Sequence, residues 1–302
     1  MNRAVLRLTS GRLAVELSAP DAGHRGSRFD RTGHVVQAVL DGKHRFCTEE
    51  SPDPGQGTGG SGICGEFGIF TPIGFEDAAP GEVFPKLGAG LLIRPDMQPY
   101  AFARPYVIEP YPIKIHTGDR FAVFRTEPVD CRGYRVRYEK RVSLDENVLT
   151  IEYRLGNVGE KPIVTEEYAH NFMAVDGHPI GPDYSLRLSH AFDPSSFPPK
   201  LRVQGRDIGW GEAPTGAYYA RIDFPDQGER EGVPSEGMSS DNGFRWELLH
   251  EPSGVSVRES NDFPPSAIAL WGDRHVVSPE VFIRLALRPG DERLWTRRYE
   301  FN

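Results

Sequence analysis

An all-β fold of antiparallel strands with few short helices is what this chain of 302 residues predicts, and three observations carry it. Thirty-three Gly and 26 Pro are spread along the whole length, which supplies turns throughout and leaves little room for long helices. No window keeps apolar residues at i, i+3, i+4 and i+7 for more than about two turns. Short runs alternate apolar and polar residues instead, as strands with one buried face do.

Taken in order, the alternating runs are Arg3 to Leu8, Arg12 to Leu17, Val35 to Leu40, Tyr134 to Val142, Val148 to Leu155, Ser185 to Leu188, Phe244 to His250, Val255 to Glu259, Ala267 to Trp271 and Val281 to Leu287. Gly23 to Gly26 and Asp30 to Gly33 read as turns, and Asp41-Gly42 is a strong hairpin signal. The runs on either side of Asp145-Glu146-Asn147 make a second hairpin with one buried face. Ser51 to Gly62 is almost all small and polar and reads as a flexible loop lying as a lid over one end of the sheet; Asp223 to Asn242 is a second loop of that kind. Solenoid periods are absent, so the meander closes on itself as a sandwich or barrel, one domain over residues 1–302.

A net charge of −8 disfavours nucleic acid and an anionic membrane as partners, since both reward a basic face. A neutral or weakly charged small molecule fits better. Cys47, Cys64 and Cys131 are odd in number, widely spaced and without a CxxC pair, which points to reduced thiols in the cytoplasm. No apolar stretch approaches a membrane span, and the N-terminus has no continuous signal-peptide core. Compact metal-ligand motifs and phosphate-binding glycine loops are lacking, so neither a metal nor another cofactor is expected.

Chemistry concentrates in Thr165-Glu166-Glu167-Tyr168-Ala169-His170-Asn171-Phe172, followed by Asp176-Gly177-His178. Here an imidazole, an amide and carboxylates meet the end of a strand. The hairpin ending in LTIEYRLGNVGEKPI, the His at the end of the next strand and the closing LRPGDERLWTRRYEF together resemble the galactose mutarotase-like (aldose 1-epimerase) superfamily. Its closing pattern is matched by Glu280, the apolar run Phe282 to Leu287, Pro289-Gly290, Trp295 and Tyr299-Glu300-Phe301.

That resemblance implies a large antiparallel β-supersandwich, a carbohydrate ligand and catalysis by one base and one acid, which open the sugar ring and let it close as the other anomer. By position the base is Glu280 and the acid His170. Their ordinary pKa values suit those roles, about 4.3 for Glu and about 6.5 for His. Family members also use an early histidine in a His-Gly context to hold the ring oxygen. The corresponding region here, Gly62 to Ile69, has none, which makes Glu66 a substrate-binding candidate with Lys86 as its partner. Asn171 and His178 join them beside the acid, and Tyr106 and Trp271 are aromatics able to stack on a sugar. His116 is a strand-surface histidine, and Glu166 and Glu167 are placed to hold the His170 tautomer, one of them pointing away. Two other readings share the fold: a carbohydrate-binding protein without turnover, and a sugar-modifying enzyme of lyase type.

Overall fold

A computed structural model describes residues 5–20, 26–53, 56–225 and 243–302. Alternation in the sequence becomes strand directly. The run from Tyr134 forms Val136–Asp145, with Val136, Tyr138, Lys140, Val142 and Leu144 all buried; it turns at Glu146, whose φ is 49°, and returns as Val148–Asn157. Asp41 and Gly42, with φ of 52° and 66°, make the other expected tight turn, joining Val35–Leu40 to His44–Arg45. Much of the expected turn at Gly23 to Gly26 and of the loop Asp223 to Asn242 lies outside the described residues.

Two large antiparallel sheets result. The first runs in the order Val5–Thr9, Leu13–Ser18, Val35–Leu40, Ile63–Phe67, Ile163–Asn171, Val276–Leu287, Ala267–Asp273 and Tyr218–Asp223. The second has Val255–Asn261, Glu292–Phe301, Val148–Asn157 and Val136–Asp145 side by side at its middle. A small third sheet comprises Val83–Lys86, Gly90–Ile93 and Ile108–Pro110. Among the described residues the helices are single 3₁₀ turns, at Val175–Gly177 and Pro194–Ser196.

The inner faces of the two large sheets share one apolar core, with Val15, Val35, Ile283 and Leu285 from the first and Val142, Ile151, Val257 and Tyr299 from the second. The outward face of the second sheet is a ladder of exposed ion pairs, among them Arg154–Glu292 and Arg258–Glu247, each contributing little by itself.

Ions also sit inside the core. Arg297, fully buried, donates to Glu167 of the first sheet at 2.8 Å and to Glu259 of the second at 2.9 Å. Trp295 and Trp246 add indole N–H bonds to those two carboxylates, at 3.2 and 2.7 Å. This cluster ties the sheets together at a fixed height.

Several strands begin where the sequence analysis placed none, among them Val83–Lys86, Phe121–Thr126 and Tyr218–Asp223, and two such starts bear on the site. Ile63–Phe67 is fully buried and central, and it starts at Gly62, whose φ is 56° and where a Cβ would lie 2.0 Å from the Val35 carbonyl oxygen. Val276–Leu287 begins ahead of the expected Val281, because Pro279 reads locally as a strand breaker yet lies within the strand.

Replacing Arg297 with Met strands two buried carboxylates. The expected loss is about 3–5 kcal/mol of unfolding free energy, measured by chemical denaturation. Adding Glu167→Gln and Glu259→Gln to it should recover part of that loss.

Candidate functional site

Ile163–Asn171 lies between Ile63–Phe67 and Val276–Leu287, and its alternation sends Tyr168 and His170 to the outward face of the first sheet, Glu167 and Asn171 to the inward one. Tyr168 pairs with Glu66 on one side and Phe282 on the other, while His170 pairs with Cys64. The Tyr168–Phe282 register carries on to the bridge between Met173 and Val277, which sets His170 across from Glu280. Pro279 has no N–H and interrupts the ladder there. Asn171 fills the break: its Nδ2 donates to the Pro279 carbonyl at 2.6 Å and its backbone N–H to Ser278 Oγ at 2.9 Å.

The outward side chains at this break form a compact set. His170 Nε2 is 3.2 Å from Glu280 Oε1. Ser278 Oγ is 2.8 Å from His170 Nδ1 and donates to Glu280 Oε1 at 3.1 Å. With that proton used on Glu280, the serine oxygen accepts from His170 Nδ1–H, and Nε2 faces Glu280 as an acceptor.

Both titratable groups are buried, His170 at 5% exposure and Glu280 at 4%. Burial pushes the Glu280 carboxyl up to about 8, against the weaker pull of the Arg28 cation. Burial also holds the imidazole well below the usual histidine range, and Arg28 pushes the same way. At neutral pH the pair therefore keeps one exchangeable proton, resting on the carboxyl. Ordinary pKa values put it on the imidazole instead; removal from water reverses that order.

Aromatic rings close in around the imidazole. Phe172 stacks on it at 3.8 Å, and Phe29 and Trp271 present edges at 6.2 and 5.4 Å. Of the expected lid, Gly60 runs close over Phe172, where a Cβ would approach the ring to 2.4 Å. The Glu50 carboxylate ties this loop down by accepting from the N–H groups of Thr58 and Gly60; residues 54 and 55 lie outside the described residues.

Beside the pair is a second buried cluster. Glu66 accepts from Arg28 Nε at 2.8 Å, Lys86 Nζ at 3.0 Å and the Tyr168 hydroxyl at 2.7 Å. Burial alone would raise the Glu66 carboxyl, but Lys86 and Arg28 outweigh it and hold the group below its usual range. Arg28 lies between the rings of Phe29 and Phe102, at 4.4 and 4.5 Å, and also donates to Thr58 Oγ1 at 2.8 Å.

Of the residues singled out in the sequence, the structure gathers His170, Glu280, Trp271, Glu66 and Lys86 on this face. Asn171 turns inward instead, between Glu259, Pro279 and Tyr299, because it follows His170 by one residue in a strand. Tyr106 packs in an aromatic cluster with Phe84 and Tyr100, its oxygen accepting from the Ala101 N–H. His178 is exposed and stacks on His250 at 4.6 Å. His116 is exposed against Phe121. Glu166 and Glu167 do face opposite ways, but toward Arg221 and Arg297; Ser278 holds the imidazole. Sequence reasoning missed Ser278, Arg28 and Phe172. Ser278 carried a usable signal, being two residues from Glu280 and so on its face of the strand.

No protein-family model matches the chain, and no curated protein does. Solved structures match in fold over nearly the whole length. A candidate aldose 1-epimerase from Escherichia coli superposes with a TM-score of 0.61 at 11% identity, covering 100% of this chain and 99% of that one. A galactose mutarotase-like protein from Lactobacillus casei gives 0.59 at 11%, covering 99% and 100%. An aldose epimerase homologue from C. elegans gives 0.54 at 12%, covering 100% and 99%. The fold is that of galactose mutarotase-like proteins.

Replacing Ser278 with Ala should free the imidazole to change tautomer. Nitrogen NMR should show His170 protonated at Nδ1 in the native protein and shifted toward Nε2–H in the variant. Stability should fall by about 1–3 kcal/mol, because the Asn171 N–H loses its acceptor.

Proposed function

We propose that this protein is an aldose 1-epimerase-type isomerase of carbohydrate metabolism that interconverts the anomers of a free or modified sugar. The observation that carries the reading is the buried contact of 3.2 Å between the Glu280 carboxyl and the His170 imidazole on the outward face of this fold. Anomer exchange asks for that and little more. One group takes the proton of the anomeric hydroxyl while the other protonates the ring oxygen; the C1–O5 bond breaks, C1=O forms, rotation follows and the steps reverse. Every atom and proton is returned.

The roles of the pair follow from where its proton sits. Moving it across the contact turns carboxyl and imidazole into carboxylate and imidazolium, the form in which Glu280 is the base and His170 the acid. Sugar binding that brings polar groups against the pair favours this charged form, because it reverses the desolvation that suppressed it. Trp271, at 5.4 Å from the imidazole, offers an apolar face for the ring. Cys47, Cys64 and Cys131 are all buried and unpaired, which fits a cytoplasmic setting.

His170→Ala and Glu280→Gln should each reduce accelerated anomer exchange by about 10²–10⁴-fold, followed by NMR on a panel of aldoses and uronic acids, with circular dichroism unchanged. Unchanged rates in both variants reject the assignment, and sugar binding by calorimetry without exchange selects the binding-protein reading. A different product in the NMR spectrum selects the lyase-type reading. Activity should fall as pH rises through about 8, where the pair loses its one proton, and should persist on the acid side to well below the usual histidine range, because a second proton binds only there.

A further inference from the structure

Gly65 is a glycine in mid-strand with no backbone reason to be one. It lies at the centre of the fully buried Ile63–Phe67, pairs with Ala169 on the inward face of the first sheet, and has a φ outside the left-handed region. A Cβ there would meet nothing closer than 3.5 Å, so neither a turn nor a close approach excludes a side chain. Glycine inside a strand weakens it, and often marks a place where a ligand sits against the backbone.

The atoms around this place are charged. The three nearest to the Cβ position are Glu167 Oε1 at 3.5 Å, Lys140 Nζ at 3.5 Å and Asp30 Oδ2 at 3.6 Å, and their residues are 0%, 2% and 1% exposed. Glu167 meets both Arg297 and Trp295 through Oε2, and among the described residues its Oε1 has no hydrogen-bond partner. Lys140 uses two N–H groups on Asp30 and the Thr32 carbonyl; the third has only the face of Tyr153, whose centroid is 5.1 Å from Nζ. Asp30 Oδ2 accepts from the Tyr138 hydroxyl at 2.7 Å as well. A buried carboxylate oxygen without a donor is unfavourable by itself and becomes favourable when a donor meets it.

We propose that the space over Gly65 is a binding site for one internal water molecule. Its oxygen sits just beyond the Cβ position and accepts from Lys140 Nζ, while its two hydrogens go to Glu167 Oε1 and Asp30 Oδ2, the three bonds usual for a buried water. Charge selects against ions. An anion would face two carboxylates and a metal cation would face the ammonium, whereas water brings donors and an acceptor at no charge. The water closes a chain through Asp30, Lys140, Glu167, Arg297 and Glu259, joining the Asp30–Lys140 ion pair to the cluster that ties the sheets.

Gly65→Ala and Gly65→Ser separate a bound water from a dry gap. In a dry gap the added methyl fills space and stiffens the unfolded chain, so alanine stabilises. With water bound, the methyl displaces it and leaves Glu167 Oε1 and the Lys140 N–H dry. The unfolding equilibrium, measured by chemical denaturation, should then shift toward the unfolded state by about 5- to 150-fold. Serine carries its hydroxyl one bond beyond Cβ, where the water oxygen sits, and should recover at least about 5-fold of that loss. A high-resolution crystal structure of the native protein should show one water within hydrogen-bond distance of the three atoms, and magnetic relaxation dispersion of the solvent should lose one long-lived internal water in the alanine variant. The crystal structure decides alone if neither variant folds. The proposal is overturned by an alanine variant as stable as the native chain, by a serine variant no more stable than the alanine one, by native density with no water at this place, or by a relaxation signal unchanged in Gly65→Ala.

Discussion

The pairing of Ile163–Asn171 with Val276–Leu287 is the constraint on which both stability and site depend. A strand presents alternate residues to opposite faces, so one backbone sends Glu167 and Asn171 into the core and His170 outward. Keeping the register across Pro279 brings His170 and Glu280 into contact, and Asn171 steadies the break by donating its amide to the Pro279 carbonyl and its backbone N–H to Ser278 Oγ. A slip of one residue would bury the imidazole between the sheets and expose the core carboxylate.

Electrostatics on the two faces is solved in two ways. Inside the core, and around Glu66 on the outward face, carboxylates meet guanidinium or ammonium partners at hydrogen-bond distance and are held as ions. Among the described residues the Glu280–His170 pair meets a serine hydroxyl but no cation at hydrogen-bond distance, so burial drives both toward neutrality. A proton whose position is set by desolvation is one that an incoming polar ligand can move.

Much of the fold was legible from periodicity. Val35–Leu40 and both arms of the Glu146 hairpin follow directly from alternation, and the register that unites His170 with Glu280 grows from two segments that the order of motifs had already selected. The central strand Ile63–Phe67 was not legible, since a strand buried on both faces does not alternate and Gly62 and Gly65 read as loop. Arg28 could not be found either: its partners Glu66, Thr58 and Tyr168 are distant in sequence. Asn171 and Tyr106 looked like ligand contacts because residue type alone says nothing about which way a side chain faces.

Glu167 and His170 stand three residues apart on the same rigid backbone, one gripping the ion cluster that joins the sheets, the other the transferable proton. Substitutions that relax the first will shift the second, so the chain has little freedom to gain robustness and reactivity independently. Variation among descendants of this sequence should accordingly be found at exposed positions such as Phe70 and Tyr219, where a change leaves that shared backbone undisturbed.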